Sequence, residues 1–289
     1  MTGPRAGVAA DAAAPGAEGF VAVGGLRLEV AWFGAGRAGV PIVMLHEGLG
    51  SVAMWKDFPV RLADATGRPV MAWSREGYGR STPLRAKREP SFMHREALEV
   101  LPALRRAMGL DEVVLFGHSD GGSIALIHAA DAGMPVSGVV VLAPHVFVEA
   151  FCLEAIRRAR QVWETTDLRA RLGRYHDDPD SAFRGWNDIW LDPRFPAWNI
   201  EEVLPRIPCP VLAIQGEDDE YGTMEQIDRI ARQCAAATLL KLAACGHSPH
   251  RDQPEAVLEA TADFVKAQTS PGASAGWSPA STGAARPPA

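Results

Sequence analysis

Apolar and polar positions change their rhythm along this chain, and the changes mark out its elements. Short runs rich in Val, Ile and Leu predict strands at 20–23, 26–32, 41–45, 70–73, 113–116, 139–142, 211–214 and 239–242. The stretches 54–65, 92–108, 122–132, 224–234 and 254–267 read as helices. The turn Gly24-Gly25 joins the first two strands into an antiparallel hairpin. Strands and helices then alternate, which is the pattern of an α/β fold: a mainly parallel eight-stranded sheet with helices on both faces.

One segment breaks the alternation. Residues 147–205 hold no strand-like run, only helical stretches such as 154–169 and a Trp/Phe-rich portion. An insertion this long between core strands is more than a connecting loop and is expected to form a helical cap. The core is then 19–146 together with 206–268. Residues 1–18 and 269–289, rich in Ala, Gly, Pro and Ser, bury too little to order themselves and are expected to be disordered tails. The first of them has no continuous apolar stretch and does not read as a secretion signal.

Composition narrows the class of partner. The 29 Lys and Arg against 35 Asp and Glu give a net charge of −6, which argues against a nucleic-acid surface. No run is long and apolar enough to span a membrane. Cys152, Cys209, Cys234 and Cys245 lack C-x-x-C spacing, which suits reduced thiols in the cytoplasm better than a disulfide framework or a zinc site. No metal or cofactor is expected, and the oligomeric state is left open.

The chemistry starts at Gly117-His118-Ser119-Asp120-Gly121, directly behind the apolar run 113–116. A serine at the centre of G-x-S-x-G, between strand and helix, reads as a nucleophile on a tight elbow. Strand and helix come so close there that only small residues fit two positions either side. A serine hydroxyl needs a base within hydrogen-bond reach, and the base needs an orienting group. Of eight histidines, His247 stands out, in a loop after the last strand that opens on the same sheet edge, with His250 as competitor. His247-x-x-His250 lacks the carboxylates of a metal site. The run Glu217-Asp218-Asp219-Glu220, behind the strand at 211–214, supplies four candidate acids. Two N–H donors are needed for an oxyanion: the amide of Asp120, and one from the loop after 41–45, with Gly48 favoured and Glu47 the alternative.

In the order Ser119, acid, His247, these residues resemble the α/β-hydrolase superfamily over roughly residues 20 to 267. Leu45-His46 ahead of Trp55 is similar to that family's His-Gly loop, and Ser74-Arg75-Glu76-Gly77-Tyr78-Gly79-Arg80-Ser81 to its Arg-Gly-x-Gly-x-Ser turn. The resemblance implies Asp219 as the acid and, through the Gly-His pair, His247 over His250. It departs at Glu47 and Glu76, where the family usually has other residues.

Ser119-Asp120-Gly121-Gly122 and the Trp-rich insertion also resemble the valacyclovir-hydrolase group, in which the acid after the nucleophile recognises a substrate amine. The Asp120 side chain either hydrogen-bonds neighbouring backbone or faces the pocket. Most of Trp163, Trp186, Trp190 and Trp198 are expected to glue the insertion to the core. Trp186, Trp190 and Phe183 or Tyr175 are also expected to line an apolar substrate cavity with Glu47.

What these readings imply is a serine hydrolase cleaving a carboxylic ester or related acyl bond of a small, largely apolar molecule. Asn-Ser-Met-Gly, usual in hydrolases of carbon–carbon bonds, is absent from the elbow. A lactone or carbon–carbon bond hydrolase of the same fold, or a hydrolase-like receptor, are the competing readings.

Overall fold

A computed structural model of the protein describes residues 18–268; the segments 1–17 and 269–289 lie outside the described residues. Eight strands appear where the apolar runs put them: β1 (Glu18–Val23), β2 (Leu26–Phe33), β3 (Ile42–Leu45), β4 (Val70–Trp73), β5 (Val113–His118), β6 (Val136–Leu142), β7 (Val211–Gly216) and β8 (Ala237–Leu242). Glu18, assigned above to the N-terminal tail, instead opens β1 and pairs with Ala31 of β2.

The strands form one sheet in the order β1-β2-β4-β3-β5-β6-β7-β8. Pairings β1–β2 and β2–β4 are antiparallel, and the rest are parallel. Strands β3, β4, β5 and β7 are buried at every position, so both faces of the sheet are covered.

The helices are α1 (Phe58–Thr66), α2 (Phe92–Arg95), α3 (Leu101–Ala107), α4 (Asp120–Asp131), α5 (Ala150–Thr165), α6 (Leu168–Leu172), α7 (Pro179–Trp190), α8 (Glu225–Gln233), α9 (Pro249–Asp252) and α10 (Pro254–Ala267). Alternate residues of each strand serve opposite cores. Val43 and Leu115 pack with Ile124 of α4 on one face, while Met44 and Phe116 pack with Phe58 of α1 and Phe264 of α10 on the other.

Two expected helices are interrupted. The stretch 92–108 contains a π-turn over Glu96–Val100 between α2 and α3. Pro102, at the start of α3, has no N–H for the ladder and its ring crowds the carbonyl four residues back, which a wider turn relieves. The stretch 54–65 is cut at Lys56, whose φ is 55°.

Between β6 and β7 the chain makes α5, α6 and α7 and no strand. Phe147 and Asn199 pair in an antiparallel bridge, so this segment leaves and rejoins the core at one place. Asp178 caps α7 by accepting from the Ser181 N–H at 2.9 Å, and Pro179 takes the first turn.

Candidate active site

Ser119 sits between β5 and α4 with φ 52° and ψ −120°, a backbone region that residues with a Cβ rarely adopt. The flanking glycines explain how the turn closes. A Cβ on Gly117 would lie 2.3 Å from the Gly121 carbonyl oxygen, and one on Gly121 would lie 2.1 Å from the Leu45 carbonyl oxygen. The motif is therefore a packing requirement between three backbones, and the serine is lifted to the C-terminal edge of the sheet.

Two other loops end at that edge. His247, after β8, places Nε2 3.0 Å from Ser119 Oγ. Its Nδ1 lies 2.8 and 2.9 Å from the two carboxylate oxygens of Asp219, after β7. With Nδ1–H donating to Asp219, Nε2 is left to accept from the serine hydroxyl.

Asp219 is the buried member of its acidic run; Glu217, Asp218 and Glu220 are exposed. Its remaining acceptor capacity is filled by the Tyr221 and Gly222 N–H groups, at 2.8 and 3.2 Å, and by Gln215 Nε2 at 2.8 Å. Burial works to raise the Asp219 carboxyl, but His247 and these donors hold it below its ordinary value. Burial likewise works to lower the His247 imidazole, and the Asp219 carboxylate outweighs it and holds the ring above its ordinary value. His250, the competing histidine, packs instead between Trp55 and Phe58, with ring centroids 4.9 and 5.5 Å away.

A pH dependence follows. As a base His247 acts only when unprotonated, so the acid limb of kcat/KM is expected above pH 6.5, the ordinary imidazole value. Asp219→Asn removes the charge that raises the ring, so a pH–rate profile should show that limb moved to lower pH. Its effect on stability has the opposite sense. The raised His247 favours the fold fully below its unfolded value and loses that contribution as pH rises through the folded one.

Arg75, fully buried, holds the loop after β3. Its guanidinium donates to the carbonyls of His46 and, at 3.0 Å, Glu47. Since the 47–48 peptide is trans, fixing the Glu47 C=O on Arg75 turns the Gly48 N–H the other way. The Asp120 amide lies at the first position of α4, where the helix supplies no partner carbonyl.

The Asp120 side chain takes neither of the expected orientations. Only 1% exposed, it accepts from Trp190 Nε1 at 3.1 Å and lies 4.0 Å from Arg75. Burial raises its carboxyl, against the pull of Arg75 and Arg88.

A cavity of about 110 Å³ opens on Ser119 and His247, lined by Glu47, Gly48, Leu49, His145, Cys152, Ile156, Trp186, Trp190 and Tyr221. Trp186 lies against Gly48. Glu47, Trp186 and Trp190, named in the sequence analysis, are among the residues lining it. Tyr175 and Phe183 do not line it: Phe183 stacks on Trp163 with centroids 4.2 Å apart, and this is a correction to the expected lining. A larger groove of about 670 Å³, along Arg85, Lys87, Arg184 and Asp188, shares no residue with the Ser119 cavity.

Sequence reasoning missed Arg75 as a clamp, Gln215 as a support of the acid, and His145, Cys152, Ile156 and Tyr221 as cavity wall. Only their positions just after β4, β6 and β7 could have signalled Arg75, His145 and Tyr221. Among the described residues no helix is long and apolar enough to cross a membrane.

The sequence profile of the alpha/beta hydrolase family matches residues 42–260. The human serine hydrolase BPHL is 28% identical, over 91% of this chain and 91% of its own. Among solved structures, an esterase from Exiguobacterium antarcticum superposes with a TM-score of 0.68 at 17% identity, covering 86% of this chain and 100% of its own. The enol-lactonase from Burkholderia xenovorans LB400 gives 0.68 at 19% identity, covering 86% and 99%. At such identities the structural likeness concerns the fold.

Proposed function

This chain belongs to the alpha/beta hydrolase family, and from that premise we propose that it hydrolyses small carboxylic esters through an acyl-serine intermediate. The observation that carries the reading is the unbroken relay from Asp219 through His247 to Ser119 Oγ, with a 3.0 Å last step.

In the first half-reaction Ser119 Oγ attacks the ester carbonyl carbon and its proton passes to His247 Nε2. The tetrahedral oxyanion is held by the Asp120 and Gly48 N–H groups. Collapse expels the alkoxide, which takes the proton from His247. Water then attacks the acyl-serine carbonyl, losing a proton to His247, and collapse releases the acid as Ser119 Oγ takes that proton back. Asp219 stays ionised throughout and stabilises the imidazolium. Each proton has a carrier among these side chains, so the cycle calls on no cofactor.

The segment between β6 and β7 acts in this reading as the cap over the site, since α5 supplies Cys152 and Ile156 to the cavity and α7 supplies Trp186 and Trp190. The cavity is smaller than the ~150 Å³ void that holds benzene. A short acyl group fits it better than a long chain.

The test is multiple turnover of p-nitrophenyl butyrate. Release of many equivalents of nitrophenol per protein is expected; one equivalent followed by a lasting adduct would favour a receptor. The same assay examines Asp120. One carboxylate oxygen is bonded to Trp190, the other lies 4.0 Å from Arg75, and the group does not line the cavity, so Asp120→Asn should leave the kcat/KM ratio of an amino-acid ester to its matched des-amino ester within about threefold, less than one net hydrogen bond is worth. A tenfold fall in that ratio would make Asp120 an amine-recognition group.

A further inference from the structure

His145 is the cavity residue for which the relay above has no use. It follows β6, two residues after the strained Ala143, whose φ is 45° and whose N–H is fixed on the Ile214 carbonyl at 2.8 Å. Its main chain is held as firmly, because Ser123 Oγ donates to the His145 carbonyl at 2.6 Å. The ring stands edge-on to Trp190 with centroids 4.8 Å apart, and 5.9 Å from the His247 ring. The side chain is thus placed rigidly, at the wall of the cavity that opens on Ser119.

What it lacks is a partner. The residue is 2% exposed, and among the described residues Nδ1 makes no hydrogen bond. A buried polar atom left unsatisfied works against the fold, and an apolar ring of similar size would avoid that cost. Burial, with His247 beside it, lowers its pKa to about 3, so near neutrality the imidazole presents one N–H and one lone pair and no charge. Among the other wall residues, Trp190 is bonded to Asp120, Glu47 faces Arg251 and His118, and Leu49 and Ile156 are aliphatic.

We propose that His145 is a specificity-determining residue that hydrogen-bonds an uncharged oxygen, hydroxyl or keto, carried on the acyl group of the substrate. Its distance from the His247 ring puts that oxygen a few bonds from the reacting carbonyl, as in a 3-hydroxyacyl ester. An anionic group does not suit the place, because the Glu47 carboxylate lines the same small cavity and is held ionised well below its ordinary pKa against burial by His118 and Arg251. This inference rests on the proposed ester hydrolysis for its kinetic arm and on binding alone for its second arm.

The kinetic arm compares p-nitrophenyl 3-hydroxybutyrate with p-nitrophenyl butyrate. In His145→Phe the ratio of their kcat/KM values is expected to fall about tenfold, the size of one hydrogen bond to a buried group. Tm should be unchanged or higher, because the orphaned nitrogen has gone, and His145→Gln should restore most of the ratio. The binding arm titrates Ser119→Ala, with and without His145→Phe, against 3-hydroxybutyramide and butyramide by NMR and needs no turnover. There the preference for the hydroxylated amide should disappear with the histidine. An unchanged ratio in both arms, or a fall in Tm with both esters losing equally, would overturn the proposal. If wild-type protein hydrolyses neither ester, the acyl-transfer reading fails by itself, and the amide titration still decides on His145.

Discussion

Replacing Ser119 by alanine is expected to lower kcat/KM for p-nitrophenyl butyrate by about 10⁴- to 10⁶-fold while leaving the fold intact. The size follows from what is lost. Without Oγ no acyl intermediate forms, and only binding and the oxyanion donors remain to help a water molecule attack directly. The fold should hold because, among the described residues, the Ser119 hydroxyl bonds only to His247, and the strained backbone at 119 is no worse for alanine than for serine. Removing His247 as well should cost little more, since the two act as one unit and their effects do not add. Steady-state kinetics on the two single variants and the double variant, with circular dichroism as the control for folding, checks both statements. Additive losses would mean that serine and histidine work separately.

The second large effect concerns stability. Gly→Ala inside a helix ordinarily stabilises by up to ~1 kcal/mol. At Gly121, in the first turn of α4, the sign reverses. A Cβ there meets the Leu45 carbonyl oxygen at 2.1 Å and the His46 carbonyl oxygen at 2.7 Å, and both belong to backbone that cannot rotate away. Relief requires moving α4 off the sheet, and with it the Ser119 elbow. Gly121→Ala is therefore expected to destabilise by at least about 3 kcal/mol, a fall in Tm of roughly 6 °C or more for a chain of this size. Thermal melts followed by circular dichroism measure it, and a Tm equal to or above wild type would show that the elbow tolerates a side chain.

The strands were readable because buried parallel strands must be apolar throughout, as 113–116 and 211–214 are, and no surface constraint blurs that signal. The elbow at Ser119 was readable for a similar reason, since G-x-S-x-G records a clash that any larger residue would suffer. The acid was narrowed to four neighbours by position alone, and the choice of Asp219 needed the family resemblance. The geometry behind that choice is local: only Asp219 of the four is buried, where Gln215 and the 221–222 amides reach it.

The cavity wall was harder to read. Phe183, Trp186 and Trp190 share one face of α7 at helical spacing, so periodicity treats them alike. Phe183 lies about 10 Å from Trp190 along the axis, at ~1.5 Å per residue, beyond the end of the cavity and against Trp163. A pattern of apolar positions gives the face of a helix and not the depth along it. Arg75 was visible only as part of a turn, because its partners are carbonyls, and carbonyls carry no sequence signature. The break at 96–100 was foreshadowed by Pro102, which propensity alone would place in a first turn of helix as readily as behind a π-turn.

Covalent acylation of Ser119 is the step on which the proposed reaction depends, and a rapid quench with mass analysis addresses it directly. Protein mixed with excess p-nitrophenyl butyrate and acid-quenched within the first turnover is expected to carry one butyryl group, on the peptide that contains Ser119. The adduct should decay on further incubation at the rate of steady-state turnover. Hydrolysis proceeding with Ser119 unlabelled, or with the butyryl group on a different residue, would contradict it.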